Sequence, residues 1–117
     1  MRGNNQMDNS ILKEVFAAIE DKKGEDIRVL DISGVSVMAD YFVIASGNNK
    51  NQIQAIADSV NEAMIKNKVE LKSTEGYNTA GWILMDYGDI IVHIFSKEER
   101  LFYDLERIWR DGKPIEL

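Results

Sequence analysis

Residues 81–95 read GWILMDYGDIIVHIF. Two apolar, β-branched runs flank a Tyr-Gly pair, which is the pattern of a strand, a tight turn and a second strand. With Tyr87 and Gly88 as a two-residue turn, the opposed pairs are Asp86 with Asp89, Met85 with Ile90, Leu84 with Ile91, Ile83 with Val92 and Trp82 with His93. Strand alternation then separates an aliphatic face (Ile83, Met85, Ile90, Val92, Ile94) from a mixed one (Trp82, Leu84, Asp86, Asp89, Ile91, His93, Phe95). The aliphatic face is expected to be core. For the mixed face two readings stand: a helix covers it and His93 hydrogen-bonds inside, or it is exposed and Trp82 anchors another protein. In the second reading Leu84 and Ile91 flank the anchor and the two Asp residues form a rim, because like charges at a turn require water or a positive partner.

Working outward, Ile11, Leu12, Val15, Phe16 and Ile19 recur at helical spacing. They predict a helix from Asn9 to Lys23, capped at Asn9 or Ser10 and stopped by Gly24. The opening six residues have no periodicity and Met7 is a candidate start, so residues 1–8 read as a mobile leader, leaving 9–117 as the domain. The runs IRVLDI and YFVIAS predict two mostly buried strands. The segment SGNNKNQ then opens a second helix, with Asn49 and Gln52 as a variant capping box and Ile53, Ile56, Ala57, Val60 and Met64 on its apolar stripe. A further strand is expected over VELKST. A third helix begins at Ser96, with Glu99 three residues on, carries Leu101, Phe102, Leu105, Ile108 and Trp109 on one stripe, and stops at Gly112 and Pro114. The order predicts one α/β domain, a mixed sheet of about five strands with flanking helices.

The chain has 117 residues, room for one domain, and no apolar run approaching the ~20 residues of a spanning helix. It has no cysteine, which removes disulfides and thiol chemistry and fits a reducing compartment, the cytoplasm. The net charge of −6 disfavours direct nucleic-acid binding and favours a basic partner. Between Glu75 and Glu106 seven acids face only Lys97 and Arg100, so the acidity is concentrated in the third that contains the hairpin.

Catalysis finds little support. His93 and Asp89 lie four residues apart, about 13 Å along a strand, too far to act as a pair. One His, no Cys and no Asp-x-Asp leave no metal-ligating set, and no cofactor is implied. SGNNKNQ sits where a phosphate loop would, but it has a single Gly, so Gly47 is read as relieving a turn and the Asn residues as capping a helix.

ADYFVIASG, QAIADSV, EGYNTAGWILMDYGDIIVHIF and ERLFYDLERIW, in this order and spacing, strongly resemble the ribosomal silencing factor family, RsfS, also called Iojap-related proteins. The resemblance runs from about Asp31 to Trp109. The family's loop usually reads S-G-x-S-x-R-Q-V, and here Asn49 and Asn51 stand at the Ser and Arg positions. The resemblance implies an α/β domain similar to nucleotidyltransferases but without their catalytic carboxylates, and no enzymatic activity. It implies binding to large-subunit ribosomal protein fourteen, a block on joining of the small subunit, and lowered translation when nutrients are scarce. By position, the family's binding-face aromatic falls on Trp82 and its turn acids on Asp86 and Asp89. The expected partner-binding set is Trp82, Leu84, Asp86, Tyr87, Asp89, Ile91 and His93, and a weak homodimer is expected when no partner covers the face.

Overall fold

Tyr41–Gly47 (β2) is buried at all seven positions, as a strand flanked on both edges and covered on both faces must be. Its neighbours are Glu25–Asp31 (β1), antiparallel, and Ile90–Ser96 (β5), parallel. This computed structural model describes residues 5–103, 110 and 112–117, with side chains described for 10–100, 110 and 112–117. Within them the sheet is mixed and six-stranded. Ser73–Glu75 (β3) and Trp82–Asp86 (β4) extend it beyond β5, and Lys113–Pro114 (β6) pairs with β1 at the other edge, giving the order β3-β4-β5-β2-β1-β6. β6 was not expected from the sequence. Pro114 lacks an N–H, which an edge strand tolerates, so a residue read as a helix stop completes the sheet instead.

The single α/β domain is as anticipated. Asn5–Asp21 (α1) and Lys50–Lys66 (α2) pack on one sheet face, around Leu12, Val15, Ile19, Ile56, Val60 and Val92. α2 buries the five stripe residues read from its spacing. Its cap is Asn49, whose Oδ1 accepts the Gln52 N–H at 2.8 Å, while Gln52 Oε1 reaches back to the Asn48 N–H at 2.6 Å. α1 starts at Asn5, four residues before the start expected at Asn9; positions 1–4 lie outside the described residues.

The strand expected over 69–74 is confined to Ser73–Glu75, and the end of α2 takes Val69. Lys68 adopts φ +60°, its N–H bonds to Ile65 O at 2.9 Å, and the Val69 N–H bonds to Met64 O at 2.9 Å. That is the helix-ending Schellman arrangement, with Lys where Gly is usual, which is why the residue pattern did not announce it. Ser96 Oγ accepts the Glu99 N–H at 3.2 Å and starts Lys97–Tyr103 (α3) as read. The side chains of Leu101 and Phe102, and residues Leu105, Ile108 and Trp109 of the expected stripe, lie outside the described set.

Candidate functional site

The hairpin of β4 and β5 turns one residue later than its sequence suggested. Trp82 pairs with Phe95, Leu84 with His93 and Asp86 with Ile91, and the Tyr87 N–H bonds to Ile90 O at 2.9 Å. Gly88 and Asp89 are therefore the central turn residues. Gly88 takes φ +93°, the positive angle required at the first central position of a type II′ turn, which Tyr87 would adopt only with strain. The Asp86 carboxylate fixes this turn by accepting the Gly88 N–H at 2.8 Å. Asp86 and Asp89 are thus not a cross-strand pair. Because the slip is by two in the pairing sum, both faces keep the membership expected of them.

On the mixed face the side chains form a cluster with graded exposure. Phe95 is fully buried and stacks on Trp82 with ring centroids 4.9 Å apart. The Trp82 Nε1–H donates to His93 Nδ1 at 3.1 Å, and Phe42 lies 4.5 Å from the imidazole, centroid to centroid. Trp82, Leu84, Asp86 and Ile91 are partly buried, and Asp89 is exposed. Leu30, Ile32, Ala39, Phe42 and Ile44 complete the layer behind Trp82 and Ile91.

Two members of the expected binding set are not surface residues. His93 is only 4% exposed, and burial lowers its pKa to about 4, so the imidazole is neutral near pH 7. With Nδ1 accepting from Trp82, the ring proton belongs on Nε2, a buried atom without a hydrogen-bond partner among the described residues. Its role on this face is to hold the indole. Tyr87 points to the opposite face, is 5% exposed, and donates its hydroxyl to Asn61 Oδ1 at 2.8 Å. The one-residue displacement of the turn accounts for the difference: Tyr87 follows the last residue of β4 and faces the core, and is not a central turn residue.

The Asp89 carbonyl accepts the N–H groups of Asp40 and Tyr41 at 2.8 and 3.0 Å, tying the hairpin turn to the foot of β2. At the far end of β2 the SGNNKNQ loop behaves as a helix start. Gln52 Nε2 donates to the Lys22 and Lys23 carbonyls, Asn48 Nδ2 donates to Glu25, and a Cβ on Gly47 would come within 2.7 Å of Ile53 Cγ1. The amides serve the fold and Gly47 permits close packing. Sequence reading missed Arg100, which sits in a charged run yet is 8% exposed. It donates to Ser46 Oγ and to the Asp26 carbonyl, both at 2.8 Å, pinning α3 to β2 and β1; no spacing rule marks such a residue. Among the described residues no group of three or more His, Asp or Glu could hold a metal, and no helix is long and apolar enough to cross a membrane.

The sheet order, with α1 and α2 on one face, defines a class of small mixed-sheet α/β domains, and two crystal structures share this fold. One, of a Bacillus halodurans protein, has a TM-score of 0.82 and 38% identity, covering 93% of this chain and 99% of that one. The other, of a Chromobacterium violaceum protein, has a TM-score of 0.85 and 34% identity, covering 92% and 89%. The family model described as "Ribosomal silencing factor during starvation" matches residues 5–117, and the chain belongs to that family, whose members are regulatory proteins rather than enzymes. Ribosomal silencing factor RsfS of Bacillus subtilis is 45% identical over 108 residues, 92% of each chain. The chloroplastic protein Iojap of Zea mays is 33% identical over 100 residues, 86% of this chain and 43% of that protein.

Proposed function

We propose that this chain is a cytoplasmic ribosomal silencing factor that acts by occupancy rather than catalysis. It docks the Trp82 face on large-subunit ribosomal protein fourteen and keeps the small subunit from joining, lowering translation when nutrients are limiting. The observation that carries the reading is the combination on one face of a partly exposed indole, two partly exposed aliphatic side chains and an acidic turn. Leu84 and Ile91 can seal an apolar contact around Trp82, and Asp86 and Asp89 face a protein of the opposite charge. His93 contributes from beneath by fixing the indole's orientation.

Sedimentation of the chain with isolated large subunits tests this, and Asp89 offers the cleaner charge change because Asp86 also holds the turn. Asp89→Lys should slow association several-fold and flatten its dependence on salt, with the melting temperature unchanged. Unaltered association kinetics would remove the acidic rim from the interface.

Free in solution, the same face is expected to pair weakly with a second copy, so that dimer and ribosome complex compete. Sedimentation velocity should show a concentration-dependent dimer that large-subunit protein fourteen dissociates. A strict monomer at high concentration would refute the pairing.

A further inference from the structure

The connection from β1 to β2, residues 32–40, carries the two most exposed large apolar side chains among the described residues, Val37 and Met38. Val37 is 104% exposed, Met38 81% and Val35 47%, whereas the other apolar residues of this connection, Ile32 and Ala39, are buried. The hydrophobic effect opposes such exposure, and three apolar side chains within four positions at one loop tip form a patch rather than a stray residue.

The loop that presents them is built. Asp31 Oδ1 accepts the Ser33 N–H at 2.9 Å and its hydroxyl at 2.6 Å. Ile32 O accepts the N–H groups of Val35 and Ser36, Ser36 Oγ accepts the Met38 N–H at 3.1 Å, and the Ile32 N–H bonds to Asp40 O at 2.8 Å to close the base. Much of the ordering entropy that binding would cost has therefore been met on folding. The loop is also continuous with the Trp82 face. Ile32 and Ala39 belong to the apolar layer on which Trp82 and Ile91 pack, and the Asp40 and Tyr41 N–H groups bond to the carbonyl of Asp89 in the hairpin turn.

We propose that Val37 and Met38 are a second apolar anchor for the same basic protein that the Trp82 face engages, so that the acidic turn is gripped between two apolar contacts. This rests on the ribosome-binding reading above. Charge selects the occupant: from Asp31 to Asp40 there is no Lys or Arg, Lys113 on β6 pairs opposite Asp31 at the loop's foot, and Asp86 and Asp89 make the neighbouring turn, which adjoins the Trp82 face, acidic. An anionic membrane or a nucleic acid would be repelled there, and a basic surface with an apolar recess would be attracted.

The test uses the full chain and its Val37→Ser, Met38→Ser double variant, sedimented with isolated large subunits and, separately, with anionic phosphatidylserine vesicles, alongside thermal melts. Both side chains are already in water, so the melting temperature should not change. The double variant should bind large subunits roughly thirtyfold more weakly than the wild type, and neither protein should bind vesicles. Wild-type binding with the double variant within twofold of it would overturn the second anchor and leave the first intact. No wild-type binding at all would overturn the ribosome reading and this proposal with it. Vesicle binding that the double variant loses would assign the loop to a membrane and overturn the proposal, as would loss of self-association in sedimentation velocity of the chain alone with large-subunit binding unchanged, which would assign it to a second copy.

Discussion

Replacing Trp82 with Ala is expected to lower affinity for large ribosomal subunits by about 2 kcal/mol or more, roughly thirtyfold. From the sequence alone the same change should leave the fold nearly intact, since the aliphatic face of the hairpin carries the main core. The structure adds a stability cost. Ala removes the ring stacked on Phe95 and leaves His93 Nδ1 without its donor, and an unsatisfied buried acceptor costs about 1–3 kcal/mol. Trp82→Phe helps to separate the two effects because it keeps an aromatic ring on Phe95 while removing the indole N–H together with part of the ring area. Binding is read by sedimentation at matched folded fraction, with circular dichroism as the control. A folded Trp82→Ala chain that binds with wild-type affinity would remove Trp82 from the interface.

The second large effect is a loss of stability in mild acid. The His93 pKa is about 4 in the folded chain against an ordinary 6.5. Above pH 6.5 the imidazole is neutral in both states and costs nothing. Between pH 6.5 and 4 the unfolded chain takes up a proton that the folded chain refuses, so stability falls as pH falls, by about 3 kcal/mol across that window. Urea unfolding of the wild type and of His93→Phe, at steps from pH 7 to pH 4, isolates this contribution, since the carboxylates titrate in both. The wild type should lose the additional stability and the variant should not. Parallel curves would mean that His93 takes a proton while folded.

What was legible follows from physical range. The α2 stripe of Ile53, Ile56, Ala57, Val60 and Met64 was readable because helical periodicity and a capping pair are local, and all five residues are buried. The two faces of the hairpin were readable because strand parity survives a wrong register. The register itself depended on which residue takes a positive φ, and Gly88 had to be a central turn residue in either frame, so composition could not choose between them. Tyr87 was misplaced for that reason alone.

The burial of His93 was not legible because the residues that share its layer come from elsewhere in the chain. Phe42 on β2, and Ile32 and Ala39 of the loop before it, reach that side of the sheet only in the tertiary structure. Of the two readings held open for the mixed face, each describes a part: His93 is internal and hydrogen-bonded, while Trp82, Leu84 and Ile91 remain partly exposed. The apolar loop tip was overlooked for a complementary reason. VSVM has no amphipathic period, and only its exposure in the fold distinguishes it from ordinary core.

Subunit joining is the decisive measurement. Purified small and large subunits are mixed with increasing amounts of the chain, and light scattering follows formation of the joined ribosome. Wild-type chain added to large subunits first should suppress joining in a saturable way, Trp82→Ala should require roughly thirtyfold more protein for the same suppression, and adding the chain to small subunits alone should have no effect. Full joining in the presence of saturating wild-type chain, with large subunits shown to be intact, would contradict silencing by occupancy.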